Sequence, residues 1–66
     1  MKLWINGEDR EVPDLATIAE LAAWMRLPPQ GTAVELNGVV VRRNEQAASP
    51  LKDGDRLEIV RLVGGG

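Results

Sequence analysis

LKDGDRLEIVRLVGGG, residues 51–66, is the stretch on which the fold turns. Asp53-Gly54 is a turn pair. After it Leu57 and Ile59 alternate with Arg56 and Glu58, the period-two pattern of a strand with one apolar side. The strand runs straight into Gly64, Gly65 and Gly66, the residue type that costs most entropy to order. A closing strand of this kind needs earlier strands to pair with, and the rest of the chain supplies them.

At the other end, MKLWI places Leu3 and Ile5 on one face and Lys2 and Trp4 on the other. Asn6-Gly7 follows, the pair that best tolerates the two positive φ angles of a type I′ turn, so EDREV is predicted to return as an antiparallel second strand ended by Pro13. Thr17 to Glu20 matches a capping box, Thr17 taking the N3 amide and Glu20 reaching back. Ile18, Leu21, Ala22 and Met25 then form one helical stripe, and Pro28-Pro29 stops the helix by Leu27. Trp24 sits beside the stripe and reads as a helix-edge core residue. TAVEL and VVVRR flank Asn37-Gly38 as a second hairpin, with the inward face of the valine strand left open. NEQAASPLKDGD reads as an irregular crossing pinned by Leu51. The order is ββαβββ, which predicts an α+β roll: a mixed sheet with one helix packed across one face.

Composition narrows function. Sixty-six residues, 44% hydrophobic and 27% charged, describe one small globular body with little core to spare. No cysteine and no histidine are present, which removes the usual nucleophiles, the usual base near neutral pH and the commonest transition-metal ligands. The N-terminus has no signal-like apolar region, and no window approaches the about 18 apolar residues of a membrane span, so a cytoplasmic protein is expected. A net charge of −2 without a basic stripe argues against nucleic acid.

With LNG at 36–38, LKDGDRLEIV at 51–60 and a glycine end, the whole chain resembles the ubiquitin-like β-grasp proteins, and within them the ThiS-like sulfur carriers of thiamine biosynthesis. Molybdopterin synthase small subunits are similar but usually longer. The resemblance implies a β-grasp domain over 1–63 and a flexible glycine tail over 64–66. It also implies a protein cosubstrate rather than an enzyme. The Gly66 carboxylate, supported by Gly65, is adenylated and then converted to a thiocarboxylate that donates sulfur for the thiazole ring. No cofactor is bound, and ATP is used by the partner. Expected partners are an E1-like (ThiF-like) adenylating enzyme, a thiazole synthase (ThiG-like) and a persulfide donor such as a cysteine desulfurase, with neither nucleic acid nor membrane. Gly64 belongs either to the reactive tail or to its spacer.

A carboxylate is a poor electrophile at neutral pH and needs activation, and a tail without Cβ atoms suits a narrow channel that excludes water. Parity puts Trp4, Val60 and Leu62 on the sheet face away from Leu57 and Ile59, where they are expected to form an exposed patch for partners, framed by Arg56 and Arg61. The plain alternatives are a frayed terminus for the glycines and a partly buried Trp4 under a loop. Asp53 and Asp55 read as turn residues, because a calcium loop needs oxygen ligands that the following residues do not supply. Arg42-Arg43 reads as a solvated strand end. Other recipients, molybdopterin or an amino-acid pathway, or a binding module with an inert tail, remain open.

Overall fold

A computed structural model of the chain describes residues 1–62, so the expectations placed on Gly64, Gly65 and Gly66 lie outside the described residues. The strands are β1 (Lys2–Ile5), β2 (Glu8–Glu11), β3 (Thr32–Leu36), β4 (Val39–Val41) and β5 (Arg56–Arg61); the helix α1 spans Ile18–Trp24. They form one sheet in the order β2-β1-β5-β3-β4. β1 and β5 run parallel, and every other pair is antiparallel. The expected α+β roll is the architecture found.

Both Asn-Gly hairpins form as type I′ turns, with Asn6 and Asn37 at φ 53° and 52° and their glycines at 80° and 87°. The register left open in the valine strand is settled by the pair Val34–Val41. Val41 is buried, whereas Val39 and Val40 are exposed at this edge.

Leu3, Ile5, Val34 and Leu57 from the sheet, Ile18 and Leu21 from α1, and Val12 and Leu51 from the connections make the core. Leu51 pins the crossing as expected, because Leu51 N–H donates to Ala16 and Ile18 N–H to Ser49, tying the segment to the start of α1. The crossing is more regular than its composition suggests: Arg43–Ala48 is a 3₁₀ helix. Glu45 organises its start, its carboxylate accepting from Arg42 N–H at 3.0 Å while its own N–H donates to the Arg42 carbonyl. Arg42 and Arg43 are exposed.

The helix start departs from the predicted box in one bond. Thr17 Oγ1 accepts from Glu20 N–H at 3.2 Å, but Glu20 Oε1 accepts from Ala16 N–H, one residue before the cap. The helix also ends before Leu27, through its own C-terminal motif. Arg26 lies at φ 57°, its N–H bonds to Ala23 and Leu27 N–H bonds to Ala22, the two bonds of a Schellman ending. Trp24 is 44% exposed and does not join the core. In a helix of seven residues the stripe meets the sheet through Ile18 and Leu21, and Trp24 lies off that line in the last turn. Among the described residues no helix is long and apolar enough to cross a membrane.

Arg26 occupies a left-handed position that favours glycine, and no hydrogen bond or ion pair of its side chain offsets the strain. Arg26→Gly is expected to stabilise the fold by about 0.5–1 kcal/mol and to raise the thermal midpoint by a few degrees, measured by circular dichroism.

Candidate functional site: the end of strand β5

β5 lies in the middle of the sheet and ends at Arg61, with Leu62 the last described residue. Four residues of sequence follow. The way β5 is held therefore fixes where those residues begin.

On one flank β1 gives way to its turn at Asn6, yet the grip on β5 continues. Asn6 N–H donates to the Leu57 carbonyl, while the Asn6 side-chain amide donates to the Ile59 carbonyl at 3.1 Å and accepts from Ile59 N–H at 2.7 Å. The side chain thus supplies the two bonds that another strand residue would have made. On the other flank Asn37 does the same at the strand's beginning, donating its N–H to Arg56 C=O and accepting Arg56 N–H on Oδ1. The Asn37 amide also donates to Asp55 Oδ1, and Lys52 N–H donates to Asp55 Oδ2. Asp55 is a buried carboxylate satisfied as a turn residue. Asp53 likewise accepts from Lys2 N–H.

At the exit the β3 side takes over. Ladder pairing runs to Thr32 opposite Arg61, and Leu62 N–H then donates to Gly31 C=O at 2.6 Å.

The face of the sheet away from α1 carries Trp4, Arg56, Glu58, Val60 and Leu62, with Ala33 and Glu35 from β3 and Val40 from β4. Trp4, half-buried, pairs with Arg56, whose guanidinium carbon lies 5.3 Å from the ring centroid. This contact is a cation–π arrangement rather than shelter under a loop. Val60 and Leu62 are 50% and 62% exposed. Glu58 separates Arg56 from Val60 along the strand, so Trp4 stands at one end of the face and Val60 with Leu62 at the other. The neighbours that complete the apolar end are Ala33, paired with Val60, and Val40, 61% exposed and diagonal to Ala33. Both were hidden by the undecided register. Arg61 pairs with Thr32 on the helix side of the sheet, so it does not frame the Val60 face, though it is exposed. Arg56 does lie on that face, over Trp4.

The family model that matches is the ThiS family, over residues 3–66. The chain belongs to the ThiS family. A crystal structure of the thiamine biosynthesis protein ThiS from Geobacter metallireducens superposes with a TM-score of 0.82 at 33% identity, each chain covered completely. The sulfur carrier protein ThiS of Thermus thermophilus is 38% identical over 64 residues, 97% of this chain and 98% of that protein. A thiazole synthase from Paramagnetospirillum magneticum is 39% identical over 66 residues, and there the chain spans 20% of the relative's length. The fold is thus the β-grasp roll of this family.

Asn6→Gly keeps the turn's positive φ and removes only the two side-chain bonds to Ile59. It is expected to cost about 1–2 kcal/mol, seen as a lower urea midpoint at unchanged m-value.

Proposed function

We propose that the chain is a sulfur carrier of thiamine biosynthesis that works in the cytoplasm through the carboxylate of Gly66. The carboxylate oxygen attacks the α-phosphorus of ATP in the active site of an E1-like adenylating enzyme, and pyrophosphate leaves. Hydrosulfide then adds to the acyl-adenylate carbonyl, AMP departs, and a thiocarboxylate remains. With a persulfide donor, such as a cysteine desulfurase, the product is an acyl disulfide, from which a second thiol releases the thiocarboxylate. The carrier acts as cosubstrate throughout, and ATP is bound by the partner.

What carries the reading is family membership over residues 3–66 together with the described geometry of β5. A central strand held on both flanks delivers its end beside exposed apolar side chains, an arrangement suited to presenting a narrow carbonyl to an enzyme. Glycines at 64–66 let that carbonyl enter a closed channel without side chains in the way. In this reading Val60 and Leu62, extended by Ala33 and Val40, form the docking face nearest the tail, Trp4 with Arg56 forms its far end, and Arg61 meets partners from the opposite side. Gly65 and Gly66 are the reactive end, with Gly64 as their spacer. The likeness of the whole chain to a fifth of a protein named thiazole synthase favours a thiazole synthase as the enzyme that receives the sulfur.

Intact-mass spectrometry of the chain with an adenylating partner, ATP and sulfide is expected to show the gain of one oxygen-to-sulfur exchange, reversed on transfer. Deleting Gly65 and Gly66 is expected to abolish the gain without lowering the thermal midpoint. A tail that can be deleted while function persists marks an inert terminus, and a thiocarboxylate that a thiazole synthase does not consume marks another recipient.

A further inference from the structure

Leu62 is fastened by a contact that only glycine fits well. Gly31 stands at φ +75°, and a Cβ built on it would lie 3.2 Å from the Leu62 carbonyl oxygen. Any L side chain at position 31 thus meets both a strained backbone angle and a backbone atom that cannot rotate aside. The same residue accepts the Leu62 N–H at 2.6 Å, one register step beyond the end of β3. In an antiparallel ladder the residues that turn their polar groups toward the neighbour alternate, so the next such residue before Gly31 is Pro29. Proline has no N–H to offer, and Pro28 before it has none either. On the opposite flank the last hold is the Asn6 amide on Ile59. The ladder therefore has a defined final rung, and Gly31 makes it.

We propose that Gly31 is a positioning residue: by clamping Leu62 it fixes the point at which the reactive tail leaves the fold, and hence the reach of the Gly66 carbonyl. This rests on the sulfur-carrier reading for its consequence and on described atoms for its geometry. Four residues follow Leu62, each spanning at most about 3.6 Å. The free segment is so short that releasing one residue at its root changes its reach by a large fraction. A root that wanders also lowers the effective concentration of the carbonyl at a site whose distance from the docked face is fixed. The docking face itself does not include position 31, so loosening the clamp acts on presentation rather than on docking.

The test uses the full chain with three residues at position 31: the native glycine, Gly31→Ala, and Gly31→D-Ala made by chemical synthesis. The D-residue keeps the positive φ and carries its methyl on the other side of the backbone. Amide exchange followed by NMR is expected to show Leu62 protected in the native chain, about tenfold less protected in Gly31→Ala, and restored in Gly31→D-Ala. Ile59, held by Asn6, reports that the fold is intact in all three. With the adenylating partner, ATP and sulfide, Gly31→Ala is expected to lower kcat for thiocarboxylate formation about three- to tenfold with KM within about twofold, and Gly31→D-Ala to recover it. An unprotected Leu62 amide in the native chain overturns the clamp. A loosened Leu62 with unchanged kcat overturns the positioning role. A native chain that keeps Leu62 protected but never takes up sulfur overturns the carrier reading and the positioning role with it, while the clamp stands.

Discussion

The strand β5 is the member of the sheet on which the other elements depend. It is the only described strand with a parallel neighbour on one side and an antiparallel one on the other, and it joins the hairpin β1–β2 to the hairpin β3–β4. Without it the structure divides into two hairpins, each marginal alone. The parallel contact with β1 is brief, at Trp4–Arg56 and Ile5–Leu57. Two asparagine side chains lengthen the hold at opposite ends, Asn37 at Arg56 and Asn6 at Ile59. Both asparagines occupy the left-handed first position of a type I′ turn, so one residue type serves turn and ladder at once. Below, Leu57 meets Ile18 and Leu21 in the core, which couples the strand to the helix.

Much of this was legible because local and global signals agree. The Asn-Gly pairs, the alternating LEI of β5 and the stripe of α1 each name their element without help from the rest. The elements that departed from expectation were governed by contacts distant in sequence. Nothing local to NEQAAS specifies a 3₁₀ helix; it forms where the segment is tied to α1 through Ser49 and Leu51. Trp24 reads as core only if α1 runs on to Leu27, and the turn at Arg26 ends it sooner. The outer face was drawn correctly by parity but not by distance: alternation assigns a side, whereas the place along the strand requires the register, which puts Trp4 beside Arg56 rather than Val60. Arg61 was misassigned although its own parity, shared with Leu57 and Ile59, was available in the sequence. Gly31 carried no readable signal, since its partner lies far along the chain and the meeting is backbone to backbone.

The two edges of the sheet are protected in different ways. β2 is Glu8, Asp9, Arg10 and Glu11, all exposed, and a row of charges discourages pairing with another strand. β4 carries three valines, and its protection is brevity. Val39 and Val41 turn their polar groups toward β3 across the tight hairpin, which leaves Val40 to face outward. Beyond Val41, the Arg42 N–H and carbonyl are both taken by Glu45. The start of the 3₁₀ helix therefore closes the strand as well as the crossing. An edge with a single open residue offers too little to template a neighbouring chain.

A protein that hands its end to several partners faces opposed demands on neighbouring residues. The reactive segment must yield to each active site, which favours glycine and a low cost of rearrangement. The residue before that segment must not yield, because every displacement there is carried outward to the reacting carbonyl. The described structure meets the second demand with backbone contacts rather than side-chain packing: Leu62 is 62% exposed, yet its N–H is held by Gly31. Holding the root through main chain keeps the leucine side chain free to meet a partner. The same residue can then anchor the tail and belong to the docking face, and a change to its side chain would alter recognition while leaving the point of exit in place.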